Sequence, residues 1–151
     1  MLSTRQAKVA DLPTIVANEQ AAYPFPWSEA MLRDSLSSQY LFWAVCSAEQ
    51  QLVGHLIAQP VLDECHLLNV CLHPKVQGNG YGRALLEQWL QWSQSAGCTH
   101  LWLEVRQSNI VAERLYRSLG FQRQALRKNY YQAGPLREDG WVMSKHLDAV
   151  I

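Results

Sequence analysis

The sequence predicts an α/β fold, a mixed twisted sheet of about seven strands with about four helices on its faces. Three observations predict it. Runs rich in β-branched and aromatic residues alternate with stretches whose apolar residues follow helical spacing. Some of these runs follow one another across a few polar residues, as hairpins do, while others flank a helical stretch, as crossovers do. The chain of 151 residues, 48% apolar, suits one domain, residues 1–151, with a sizeable core.

The elements follow in order. "RQAKV" reads as a short first strand. Asp11 offers an N-cap, Pro13 suits a first turn, and Leu12, Ile15, Val16 and Ala22 follow helical spacing. "YPFPW" interrupts that helix, because each proline disfavours helix in the residue before it. Ser28 caps a second short helix running to about Leu36. "YLFWAVCSA" and "QLVGHLIAQPVL" form a hairpin, and "CHLLNVCL" is a strand stopped at His73-Pro74. Leu85, Leu86, Trp89 and Leu90 share one face of a helix that Gly97 ends; Trp89 is expected in the core, with Trp92 partly exposed. "HLWLEV" is the next strand. Asn109 caps a helix whose buried side would carry Ala112, Leu115, Tyr116 and Leu119, and Gly120 ends it. "FQRQALRKNYY" and "GWVMSKHL" are the last strands, joined by a loop containing glycine and proline.

Composition narrows the function classes. Lys plus Arg equals Asp plus Glu at 13 each, so no global field draws the chain to nucleic acid or a membrane. No apolar run approaches the ~20 residues that span a bilayer. "MLSTRQAKVADL" is broken by charge and offers no export signal. Cys46, Cys65, Cys71 and Cys98 form no CxxC pair, so reduced thiols in a cytoplasmic protein are expected. His55, His66, His73, His100 and His146 show neither HxxxH nor HExxH spacing, and no metal site is expected. A monomer is favoured.

"HPKVQGNGYGRALLEQWL" carries Gly78, Gly80 and Gly82 just before a helix, where glycine costs stability. A P-loop needs GxxxxGK[ST], and Gly82 is followed by Arg83-Ala84. A dinucleotide fingerprint needs GxGxxG, and the spacing here is GxGxG. Two readings remain from the residues: a plain glycine turn, or an anion cradle. In a cradle, backbone N–H groups at a helix start converge on a phosphate and glycine lets it come close. Gln77 and Arg83 would add side-chain donors.

The stretch Asn69 to Leu86 resembles the coenzyme A signature of the GNAT acetyltransferases, [QR]xxGx[GA], as Gln77-Gly78-Asn79-Gly80-Tyr81-Gly82. "LWLEVRQSNIVAERLYRSLGF" resembles the family's next motif, and with "FPWSE" and "RKNYY" the likeness is to the RimI branch, over nearly the whole chain. Members of that branch acetylate protein N-termini. The bacterial type acts on the N-terminal alanine of the eighteenth protein of the small ribosomal subunit. The resemblance therefore implies acetyl-CoA as donor, no metal, and the N-terminus of that protein as acceptor. It implies Val70, Cys71 and Leu72 as the strand edge that pairs with the pantetheine arm and supplies an oxyanion donor. Gln77, Gly78, Asn79, Gly80, Tyr81, Gly82, Arg83 and Asn109 would also contact the cofactor. Gly78 stands where many relatives carry Arg or Gln, so one phosphate contact would be backbone only.

Acetyl transfer to an amine needs a base, an oxyanion donor and help for the leaving thiolate. Glu104 is the candidate base, a carboxylate in an otherwise apolar strand. Strand alternation puts it with Trp102 on one face, so a plainly solvated Glu fits the pattern too. The resemblance assigns it as proton acceptor. Tyr116 lies two turns after Asn109 and is either a core ring or, as the resemblance implies, the acid facing the cofactor sulfur. Trp27, Tyr130 and Tyr131 would line the acceptor groove. Cys71 invites a covalent acetyl-enzyme, although a small thiol in a strand is ordinarily packing. Two other functions remain open. One is small-molecule amine acetylation, drawing on Asp63, Glu64, Glu138 and Asp139. The other is a non-catalytic CoA-binding interaction domain.

Overall fold

The computed structural model describes residues 1–148; residues 149–151, the end of the predicted domain, lie outside the described residues. The strands are β1 (Ser3–Gln6), β2 (Leu41–Cys46), β3 (Leu52–Val61), β4 (Glu64–Leu72), β5 (His100–Arg106), β6 (Gln122–Ala133) and β7 (Leu136–His146). The helices are α1 (Leu12–Ala22), α2 (Glu29–Asp34), α3 (Tyr81–Ser95) and α4 (Ile110–Ser118). The sheet order is β1-β2-β3-β4-β5-β7-β6. The β4–β5 pair is parallel, running from Glu64↔His100 to Leu67↔Leu103, whereas β1–β2, β2–β3, β5–β7 and β6–β7 are antiparallel. The predicted mixed sheet and its element order are thus what the chain adopts. Among the described residues no helix is long and apolar enough to cross a membrane.

By internal contacts the chain forms two compact units, one of Met1–Pro60 with Leu68–Leu86, the other of Val61–Leu67 with the chain from Glu87 onward. In the first unit, Ala7, Leu12, Ile15, Leu32, Phe42, Ala44 and Ile57 make one buried cluster. Each large aliphatic side chain fully buried there stabilises by roughly 1.5–3 kcal/mol. Ser28 caps α2 by accepting the Met31 N–H, as expected, but the helix ends at Asp34 rather than Leu36. Asp11 does not cap α1 with its side chain. Its carboxylate instead takes both arms of Arg5 at 2.8 Å and the Lys8 N–H, because a bidentate guanidinium is the stronger partner. The first strand accordingly lies earlier than the run "RQAKV" suggested.

In the second unit, Leu101, Leu103 and Val105 of β5 are buried while Trp102 and Glu104 on the other face are half-buried. Trp89 of α3 is fully buried and stacks on Phe121 at 6.2 Å, and Trp92 is half-buried. Asn109 caps α4 by accepting the Ala112 N–H. The predicted buried side of α4 needs correction: Ala112, Leu115, Tyr116 and Leu119 are all half-buried, and the buried residue is Glu113. Arg123 of β6 reaches Glu113 with two hydrogen bonds of 2.6 and 2.8 Å, which is what allows a carboxylate there. The expected loop between the last strands shrinks to a tight turn at Gly134-Pro135, since both strands extend beyond the runs that announced them.

Candidate functional site

The glycine stretch follows the end of β4. His73 donates its N–H to Val53 O and accepts the Lys75 N–H on Nδ1, which stops the strand and starts a single 3-10 turn, Pro74–Val76. Gly78 and Gly80 have φ of +80° and +78°, a region that L side chains rarely occupy, and a β-carbon at either would meet nothing within 4 Å. The glycines are therefore required by backbone conformation, and the space before them is open. The first intrahelical bond of α3 runs from Ala84 N–H to Gly80 O, so the amides of Tyr81, Gly82 and Arg83 precede the ladder at its positive end. Gln77, Gly78, Asn79, Gly80 and Arg83 are exposed; Tyr81 and Gly82 are half-buried. Gln77 donates from Nε2 to Leu72 O at 2.8 Å, and Asn79 donates to Val76 O at 3.3 Å. These two side chains brace the loop rather than lie free.

Val70 and Leu72 are half-buried and Cys71 is buried. A β-carbon at Gly54 would sit 2.3 Å from Cys71 O, so only glycine lets β3 pass this point. Burial, with the negative charge of Glu19 nearby, pushes the Cys71 thiol up to about 12. So little thiolate argues against a covalent acetyl-enzyme.

The same unit holds a feature the sequence did not announce. Glu19 on α1 is only 1% exposed. Its Oε1 accepts from His55 Nε2 and Asn69 Nδ2, each at 3.1 Å, and its Oε2 accepts the Trp27 N–H at 2.9 Å. Burial pushes the carboxyl upward, but hydrogen bonds from His55, the Trp27 amide and Asn69 outweigh it and hold it below the usual range. Among the described residues, Glu19, His55 and Cys71 also have ligand atoms within 4.8 Å of one another. The carboxylate oxygens there already face three N–H donors. Trp27 itself is half-buried, its ring packed against the core cluster. The more exposed rings of "YPFPW" are Tyr23 and Phe25, each 37% exposed.

In the second unit, Glu104 projects from the half-buried face of β5 with its side chain 30% exposed. Arg127 Nη1 donates to Glu104 Oε1 at 2.8 Å, and the same guanidinium lies 3.7 Å over the Tyr130 ring. Tyr130 and Tyr131 meet edge-on at 4.9 Å, and Arg106 lies 4.7 Å over Tyr131. Carbonyl oxygens of Asn129 and Tyr130 accept from Arg137, while the Asn129 N–H donates to Asp139 Oδ1. The β6–β7 register slips between Arg127, which pairs with Gly140, and Tyr131, which pairs with Glu138, so the slip frees Lys128, Asn129 and Tyr130 from regular pairing. Glu104, Tyr130 and Tyr131 are thus brought together, with Arg127 as an unforeseen link.

Tyr116 is half-buried and meets Phe121 edge-on at 6.0 Å; burial pushes its phenol up to about 12. Asn109 is exposed with its side chain engaged as the α4 cap. The four acids proposed for a cationic acceptor are dispersed among other partners. Asp63 takes the Thr99 hydroxyl, Glu64 lies 3.6 Å from His66, Glu138 takes Arg106 and Ser108, and Asp139 takes Asn129.

Residues 12–121 match the Acetyltransferase (GNAT) family. The chain is 39% identical over 137 residues to the [Ribosomal protein bS18]-alanine N-acetyltransferase of Escherichia coli strain K12, covering 91% of this chain and 92% of that one. The crystal structure of the ribosomal-protein-S18-alanine N-acetyltransferase from Escherichia coli superposes with a TM-score of 0.92 at 37% identity, over 99% of this chain and 96% of that one. Arabidopsis thaliana NAA60, solved with a bisubstrate analogue, shares the fold at a TM-score of 0.87 and 16% identity, over 99% of this chain and all of that one (100%).

Proposed function

Because the chain belongs to the GNAT acetyltransferase family, we propose that it moves an acetyl group from acetyl-CoA to a protein α-amine, that of the N-terminal alanine of ribosomal protein bS18. The observation that carries the reading is Glu104, a carboxylate on the half-buried face of β5 with Arg127 and the Tyr130 ring gathered round it. The residues present suit the donor. The positive-φ glycines and the start of α3 offer amides to a pyrophosphate, and the end of β4 offers strand edge to an amide-bearing arm. Bound there, acetyl-CoA supplies an activated acyl carbon. We assign Val70, Cys71, Leu72, Gln77 to Arg83 and Asn109 to holding it.

An α-amine of pKa ~8 is mostly protonated at neutral pH, so Glu104 first takes the ammonium proton, and the neutral nitrogen then attacks the acyl carbon. The C–N bond forms, a backbone N–H of Val70–Leu72 receives the oxyanion, and the C–S bond breaks. The thiolate takes up the second proton, which the nitrogen sheds as the amide forms, and Tyr116 donates a hydrogen bond to it. With that phenol near 12 and a thiol near ~8.5, proton transfer is uphill, so Tyr116 assists chiefly by hydrogen bonding to the developing thiolate. The engagement of Asp63, Glu64, Glu138 and Asp139 with other groups leaves a polyamine without an assembled acidic pocket among the described residues. The test is acetyl-CoA turnover against an Ala-initiated basic peptide, a Lys side-chain peptide, spermidine and an aminoglycoside. The reading requires the first to be preferred and fails if spermidine or the aminoglycoside is turned over better.

A further inference from the structure

We infer that Glu19 is a positioning residue that fixes the acceptor-side segment Tyr23–Trp27 to the end of strand β4, and so sets where the acceptor meets the thioester. This rests on the proposed acetyl transfer, with Val70–Leu72 holding the donor and Trp27, at the end of that segment, lining the acceptor groove as the family resemblance implies.

The segment is held at both ends by one residue. At its start, the Tyr23 N–H donates to Glu19 O and closes α1. At its end, the Trp27 N–H donates to Glu19 Oε2 at 2.9 Å. Between them Pro24 and Pro26 fix the backbone, and Phe25 presents its ring outward. Glu19 and the segment together meet β4 at two consecutive residues, Glu19 at Asn69 and the segment at Val70. Asn69 donates to Glu19 Oε1, and the Tyr23 hydroxyl donates to Val70 O. His55 of β3 donates to the same Oε1.

The chemistry selects a carboxylate. Three N–H donors from three elements converge on two oxygens, and an ionised carboxylate accepts at both without offering a hydrogen of its own. A purely architectural contact of helix on sheet is made by apolar groups, as Leu12 and Ile15 of the same helix do. A charge taken out of water costs stability unless it is fully hydrogen-bonded, and here it is spent on an amide beside the acceptor segment. Among the described residues, His55 Nδ1 and Asn69 Oδ1 are buried without a hydrogen-bond partner, while the opposite nitrogen of each side chain is given to Glu19.

Glu19→Gln tests this. A carboxamide has one oxygen, and its NH₂ faces either the Trp27 amide or the Asn69 and His55 donors. The variant should raise the peptide KM about tenfold with the acetyl-CoA Kd within about twofold, the signature of a lost acceptor contact rather than general loosening. Hydrogen exchange at the Trp27 amide should accelerate in the same variant. Tyr23→Phe, an exposed change that the fold tolerates, should raise the peptide KM by about threefold. It carries the test if Glu19→Gln does not fold. An unchanged peptide KM in folded Glu19→Gln overturns the inference. So does a parallel rise in KM and Kd, or stoichiometric zinc in the purified protein that Glu19→Gln releases. If the wild-type protein does not turn over the peptide, the proposed function has failed, and Trp27 exchange alone then reads whether Glu19 holds the segment.

Discussion

Arg127 Nη1 lies 2.8 Å from Glu104 Oε1 while its guanidinium covers the Tyr130 ring at 3.7 Å. One side chain thus orients the proposed base and an aromatic of the proposed acceptor groove together. Arg127→Ala should lower kcat about tenfold, because an untethered carboxylate spends less time aimed at the amine. Arg127→Lys should recover part of that, keeping the charge but losing the planar stack. Steady-state kinetics with a saturating peptide checks this; unchanged kcat in Arg127→Ala would remove Arg127 from the account.

Gly80 has φ of +78° with open space around it, so a side chain there meets a conformational penalty and then fills the space a phosphate would use. Gly80→Val should abolish acetyl-CoA binding by calorimetry. Far-UV circular dichroism should stay native, because the loop lies outside the buried clusters. Full affinity in a folded Gly80→Val protein would relocate the cofactor.

Glu104→Gln should cost ~10²–10⁴ in kcat with acetyl-CoA affinity kept. The deficit should narrow as pH rises past the α-amine's pKa of ~8, where the nucleophile is already neutral. Tyr116→Phe should cost less, since the phenol near 12 is a weak acid and a thiolate leaves tolerably unaided. A Tyr116→Phe loss larger than that of Glu104→Gln would invert the two roles.

Glu19 titrates below its ordinary range in the folded chain, so its contribution to stability is fully present above the unfolded-state pKa of ~4.3 and is lost as pH falls through the lower folded value. Urea unfolding of wild type and Glu19→Gln should therefore differ by a constant amount at neutral pH, and the two curves should converge below about pH 4. A difference independent of pH would mean that the carboxylate charge is not what stabilises.

Local physics explains what the sequence revealed and what it hid. Ser28 and Asn109 were legible as caps because a capping oxygen acts on an amide three residues away. The face of β5 that carries Glu104 followed from strand alternation alone. Asp11 stands at the N-cap of α1 as its position predicts, but its carboxylate, like the buried side of α4, departs from local preference because arginines elsewhere, Arg5 and Arg123, override it. Glu19 was invisible for the same reason on a larger scale: its partners His55 and Asn69 lie 36 and 50 positions away. Arg127 meets Glu104 only because two strands bring together residues 23 positions apart.

The central claim is transfer of acetyl from acetyl-CoA to a terminal alanine. It is tested most directly by mass-resolved turnover of an Ala-initiated peptide with the bS18 N-terminal sequence, beside an α-capped copy that retains its lysines and a free-polyamine control. The account predicts one acetyl group on the α-nitrogen of the free peptide and negligible turnover of the other two. Turnover of the capped peptide or the polyamine equal to that of the free peptide would contradict it.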